Sequence, residues 1–94
     1  MAFPGKPQVF NLTLTSADTE YSLTLPENTY KVMMQARGSA DVKFSYVSGE
    51  SGSTYFTVKS GQTYWDDNIN TASTMYVQSG TASTVVEVLT WTGA

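Results

Sequence analysis

Two residue types are missing from this 94-residue chain, cysteine and histidine. Without cysteine there is no disulfide framework and no thiolate metal site. Without histidine the commonest general base, the commonest metal ligand and the usual pH switch are gone as well. Charge is also scarce. Charged residues make up 14% of the chain and the net charge is −3. The only cations are Lys6, Lys31, Arg37, Lys43 and Lys59, too few and too scattered for a nucleic-acid footprint. The acidic excess is too mild to demand a cationic partner. No polybasic run suggests a membrane surface, and no apolar run approaches the ~18 residues of a membrane span. The opening MAFPGKPQVF lacks a basic stretch followed by an apolar one. The expectation is a chain with no signal peptide, made in a cytoplasm and used or assembled there.

What is present is alternation. Phe10, Leu12 and Leu14 alternate with Val9, Asn11 and Thr13, and Tyr21, Leu23 and Leu25 with Glu20, Ser22 and Thr24. Tyr30, Val32, Met34 and Ala36 alternate with Lys31, Met33, Gln35 and Arg37, and Val42, Phe44 and Tyr46 with Asp41, Lys43 and Ser45. Side chains on a strand point to opposite faces in turn, so each run has a core face and an outer face. No window carries a helical stripe. The runs predict eight strands over 8–14, 20–25, 30–37, 41–47, 54–59, 62–65, 74–79 and 84–91. Between them lie a polar turn at 15–18, turns at Pro26–Asn28 and Lys59–Gln62, a hairpin connection at Arg37–Ala40 with a matching one at Gly80–Ser83, and a flexible tip at Ser48–Ser53.

An internal repeat organises these strands. TEYSLTLPENTY (19–30) recurs as STYFTVKSGQTY (53–64), aligning Tyr21 with Tyr55, Thr29 with Thr63 and Tyr30 with Tyr64. MQARGSADVKF (34–44) is echoed by VQSGTASTVVEV (77–88). The prediction is all-β: one antiparallel two-sheet sandwich, jelly-roll-like, of about eight short strands, with two similar halves over one core. Residues 1–7, with Pro4 and Pro7, read as an arm, and 8–94 as the single domain. The second half carries an inserted segment, 66–72.

Four constellations bear on chemistry. Asp66, Asp67, Asn68 and Asn70 offer oxygen ligands for calcium, without the spacing of an EF-hand loop; a solvated turn is the plainer reading. The acids Asp18, Glu20, Glu27, Asp41, Glu50 and Glu87 show no pairing of the kind a glycosidase needs. Serines and threonines lack a base partner, so the chain is expected to be no enzyme, with no metal and no cofactor. The aromatics Tyr21, Tyr30, Tyr46, Tyr55, Tyr64, Tyr76, Trp65 and Trp91 are expected mainly in the core, with a subunit interface or a sugar-stacking platform as alternatives. Finally, Val85–Trp91 is apolar on both faces: Val86 and Val88 on one, Val85, Leu89 and Trp91 on the other. Such a strand is covered by another element, the 66–72 segment or the arm, or by a partner. Met33 points the same way. The candidate interface residues are therefore Met33, Val85, Leu89 and Trp91.

The runs TSADTEYSLTLPENTYKVMMQARGSADVKFSY, TYFTVKSGQTYWDD and STMYVQSGTASTVVEVLTW resemble a group of small proteins encoded in the structural gene regions of tailed bacteriophages. The shared points are Tyr21 with Leu25, Gln35–Gly38, Tyr55–Thr57, Tyr64-Trp65, Tyr76 with Gln78-Ser79, and Val86–Val88. They are strand and turn positions and carry no chemical site. The resemblance implies a virion component: a capsid decoration or cement protein, or a fibre or tail accessory domain. Its partners would be capsid or other virion proteins and further copies of itself, with no nucleic acid and no membrane. A carbohydrate- or receptor-binding module of a fibre or tail is the alternative, and a cytosolic protein that binds host components a third.

Overall fold

The computed structural model describes residues 6–67, 69 and 73–93. Its strands are β1 (Lys6–Leu14), β2 (Tyr21–Thr24), β3 (Thr29–Ala36), β4 (Val42–Ser45), β5 (Phe56–Val58), β6 (Tyr64–Asp66), β7 (Thr74–Gln78) and β8 (Thr84–Thr92). No helix occurs among the described residues. One sheet has the order β1-β8-β3-β6 and the other β2-β7-β4-β5, and every pairing is antiparallel.

The order has a simple logic. β1 pairs with β8, β2 with β7, β3 with β6 and β4 with β5. The chain is thus one long hairpin, with its tip between β4 and β5, coiled so that successive strands on each arm alternate between sheets. Two further pairings, β3 with β8 and β4 with β7, close the coil into two four-stranded sheets. This is the jelly-roll arrangement.

The coil corrects two expectations about turns. The Arg37–Ala40 connection is no hairpin, because β3 and β4 lie in different sheets. Neither is Gly80–Ser83, which carries the chain from β7 across to β8. Both still need a residue in the left-handed region, Gly38 at φ 90° and Ser83 at φ 60°. The repeat marks equivalent crossings. Thr29 N–H donates to Pro26 O at 3.3 Å with Asn28 at φ 64°, and Gln62 N–H donates to Lys59 O at 2.9 Å with Gly61 at φ 81°. Each turn leads from one sheet to the other, with positive φ at its third residue.

The core is aliphatic. Leu14, Leu25, Val32, Met34, Val42, Val58, Met75, Val77, Val86 and Val88 are buried, and Phe44 is the one aromatic ring among them. Phe10, Leu12 and Leu23 pack against this cluster, so the predicted core faces meet. The expectation that most rings are core is therefore wrong. Tyr30, Tyr46, Tyr55, Phe56 and Trp65 are all among the exposed large side chains. Tyr30 leaves the core because β3 has a register irregularity between Thr29 and Lys31. Thr29 takes the inward position instead and donates its hydroxyl to Pro26 O at 2.6 Å.

Lys6 and Pro7, expected in the arm, already belong to β1 opposite Thr92 and Trp91; residues 1–5 lie outside the described residues. The Ser48–Ser53 tip is no loose loop either. Glu20 accepts hydrogen bonds from Gly49 N–H at 2.9 Å and from Ser51 N–H at 3.1 Å. Ser51 itself is wholly buried.

Candidate sheet-face interface

Strand parity places the candidate site. Along β8, Thr84, Val86, Val88 and Thr90 face the core and are buried, so Val85, Glu87, Leu89 and Trp91 face outward. Leu89 stands opposite Val9 of β1 and Met33 of β3, and Met33 stands opposite Trp65 of β6. Val9, Leu89, Met33 and Trp65 therefore form one apolar row across all four strands. Val9 is 68% and Trp65 56% exposed, and Leu89 and Met33 are half-buried.

The rows on either side differ in chemistry. On one side Trp91 lies opposite Pro7 and Lys31. Lys31 Nζ sits 4.9 Å from the Trp91 ring centre and 5.6 Å from that of Trp65. A cation over two indoles fixes both rings and keeps its charge in water. On the other side runs a polar ladder. Thr63 Oγ1 donates to Gln35 Oε1 at 3.0 Å, Gln35 Nε2 donates to Glu87 Oε1 at 2.9 Å, and Arg37 Nε donates to Glu87 Oε2 at 2.9 Å. Gln35 first, then Arg37, hold the Glu87 carboxyl below its ordinary range. Val85 closes the face beyond Glu87, opposite Thr13, its carbonyl taken by Arg37 N–H at 2.8 Å. An open groove of about 310 Å³ lies between Val9, Met33, Gln35, Glu87 and Leu89.

All four candidates, Met33, Val85, Leu89 and Trp91, thus share one face. Val9 and Trp65 complete it; the sequence named Trp65 only among the aromatics, core or interface, and did not single out Val9. The signal for Val9 was its parity against Phe10. For Trp65 it was the alternation of Tyr64 and Trp65, usable only once β6 is known to pair with β3. Of the two covers proposed from within the chain, Ile69 of the 66–72 segment packs against the core instead.

The scattered acids serve separate loops. Glu20 serves the 46–55 loop, Asp41 accepts Ser60 N–H at 2.7 Å, and Glu50 accepts the Ser53 hydroxyl at 3.2 Å. Asp66 ends β6 and accepts the Tyr64 hydroxyl at 3.3 Å; Asn68 and Asn70 lie outside the described residues. Among the described residues no three acidic side chains gather as a metal site would need.

No family model matches this chain, and neither does any curated protein. Among solved structures it is similar to a de novo designed double-stranded β-helix determined by solution NMR. The TM-score is 0.55 and the identity 14%, over 92% of this chain and 97% of that one. At that identity the likeness speaks for the fold alone.

Proposed function

We propose that this protein is a non-enzymatic structural component that works by packing the outer face of its β1-β8-β3-β6 sheet against neighbouring protein. The observation that carries the reading is the row Val9–Leu89–Met33–Trp65, flanked by Trp91 on a face that meets solvent, with Val85 standing apart beyond the Glu87 ladder. One face of an antiparallel sheet normally carries polar side chains towards water. A contiguous apolar patch rimmed by polar residues marks an interaction surface. Leu89 and Met33 at the centre with tryptophans beside them fit the enrichment of Met and aromatic side chains at protein interfaces.

The resemblance to small proteins from phage structural gene regions supports a virion as the setting, with the capsid and sister copies as the proposed neighbours. Many copies on one shell would let modest contacts add up through avidity. Binding to purified heads tests this reading. The protein is expected to sediment with heads, and Leu89→Asp to stay in the supernatant while remaining folded. Retention of Leu89→Asp on heads, or no binding by the parent chain, contradicts it.

A further inference from the structure

Two of the exposed rings, Phe56 and Trp65, border one seam of the molecule. β5 is the edge of one sheet and β6 the edge of the other, joined by the tight turn at Lys59–Gln62. Along this seam an open groove of about 560 Å³ is lined by Phe56, Gln62, Thr63, Tyr64 and Trp65 among others. Phe56 is 57% and Trp65 56% exposed. Behind them the rings are braced. Phe56 lies 5.6 Å from Phe44 and 5.4 Å from Tyr64, and Phe44 lies 4.6 Å from Tyr64. A second hollow, shared by Phe56 and Tyr64, continues past Tyr46 and Thr54. The hydroxyls of Tyr46 and Tyr64 lie 3.4 Å apart and that of Tyr64 donates to Asp66 at 3.3 Å, so their protons are engaged within the chain and their oxygens are left to accept.

We infer that this seam is a binding site for a neutral oligosaccharide. A pyranose offers an apolar C–H face that stacks on an aromatic ring and a rim of hydroxyls that need partners. The groove supplies both: two rings more than half exposed, and the Gln62 amide and Thr63 hydroxyl beside them. Its volume falls in the range of small-ligand sites. None of its lining residues is charged, which selects against phosphorylated, sulfated or sialylated ligands. A nucleic acid would need cations along the backbone; none lines the groove, and Lys31 reaches only the Trp65 ring at its border. The groove shares Trp65 and Thr63 with the outer sheet face, whereas Phe56 and Gln62 belong to the groove alone, so changes at those two test the site apart from the interface reading.

Titration of the isotope-labelled full chain, followed by two-dimensional NMR, tests the inference. The probes are neutral tetrasaccharides of glucose, galactose and N-acetylglucosamine, with a heparin fragment as the anionic comparison. At least one neutral series is expected to shift Phe56, Gln62, Thr63 and the Trp65 indole, leaving the Trp91 indole in place, with Kd of about 0.1–10 mM. Phe56→Ala should weaken that binding by about tenfold or more. Gln62→Ala, an exposed change that leaves the ring packing intact, should weaken it too. Leu89→Asp should leave the titration unchanged. Absence of shifts at these residues with every neutral series, or tighter binding of heparin at the seam, would overturn the inference.

Discussion

The Glu20 carboxylate accepts the Ser51 hydroxyl at 2.5 Å as well as the Ser51 backbone N–H. The same hydroxyl lies 2.9 Å from the Gln78 side-chain oxygen. Glu20 precedes β2 at one edge of its sheet, Gln78 ends β7 beside it, and Ser51 belongs to the loop between β4 and β5. One carboxylate therefore draws the hairpin tip back across the end of the β2-β7-β4-β5 sheet.

That contact sets a pH dependence. The Ser51 hydroxyl, then Gly49 N–H, lowers the Glu20 carboxyl below its ordinary 4.5, and Glu87 is lowered likewise. A carboxylate with a depressed folded-state pKa stabilises the fold fully above its unfolded value, and that stability is lost as pH falls through the folded value. Thermal melting should therefore drop as pH is lowered below about 4.5. Glu20→Gln should lower the melting temperature at neutral pH, with the gap from the parent closing in acid. A gap independent of pH contradicts the assignment.

Thr90 presents a second test. It faces the core of β8, fully buried, and its hydroxyl has no hydrogen-bond partner among the described residues. A buried, unpaired hydroxyl costs about 1–3 kcal/mol. Thr90→Val keeps the shape and removes the cost. Denaturant unfolding should show a gain of about 1 kcal/mol or more; a loss would mean that the hydroxyl is satisfied in solution.

The two faces of β8 should respond differently to truncation. Val88→Ala, or Met75→Ala in the facing sheet, removes packed core atoms and should cost about 1–5 kcal/mol. Trp91→Ala and Leu89→Ser act on the outer face. They should weaken association more than they lower the melting temperature of the domain. Equal losses of stability from both faces would show that the outer face is covered within one chain.

Much of this architecture was legible because it rests on a period of two. Parity put Val86 and Val88 on one face of β8 and Leu89 and Trp91 on the other, and the eight alternating runs correspond to eight strands. Partnership was not legible. Whether Arg37–Ala40 bends a hairpin or crosses between sheets depends on long-range pairing of β3 with β8 and of β4 with β7, which no local pattern encodes. Trp65 could not be placed on this face for the same reason, since its position beside Met33 exists only after β6 joins β3. Tyr30 was misplaced because a single irregularity in β3 exchanges the faces of its first residues. The 48–53 segment read as loose because its anchor, Glu20, is remote in sequence.

The central claim is that the outer face of the β1-β8-β3-β6 sheet binds protein, and sedimentation velocity over a wide concentration range tests it most directly. The parent chain is predicted to self-associate, with the equilibrium moving to larger species as concentration rises. Leu89→Asp is predicted to sediment as a folded monomer throughout. A parent chain that stays monomeric at every concentration and fails to bind heads, or a Leu89→Asp variant that associates as the parent does, would contradict the account.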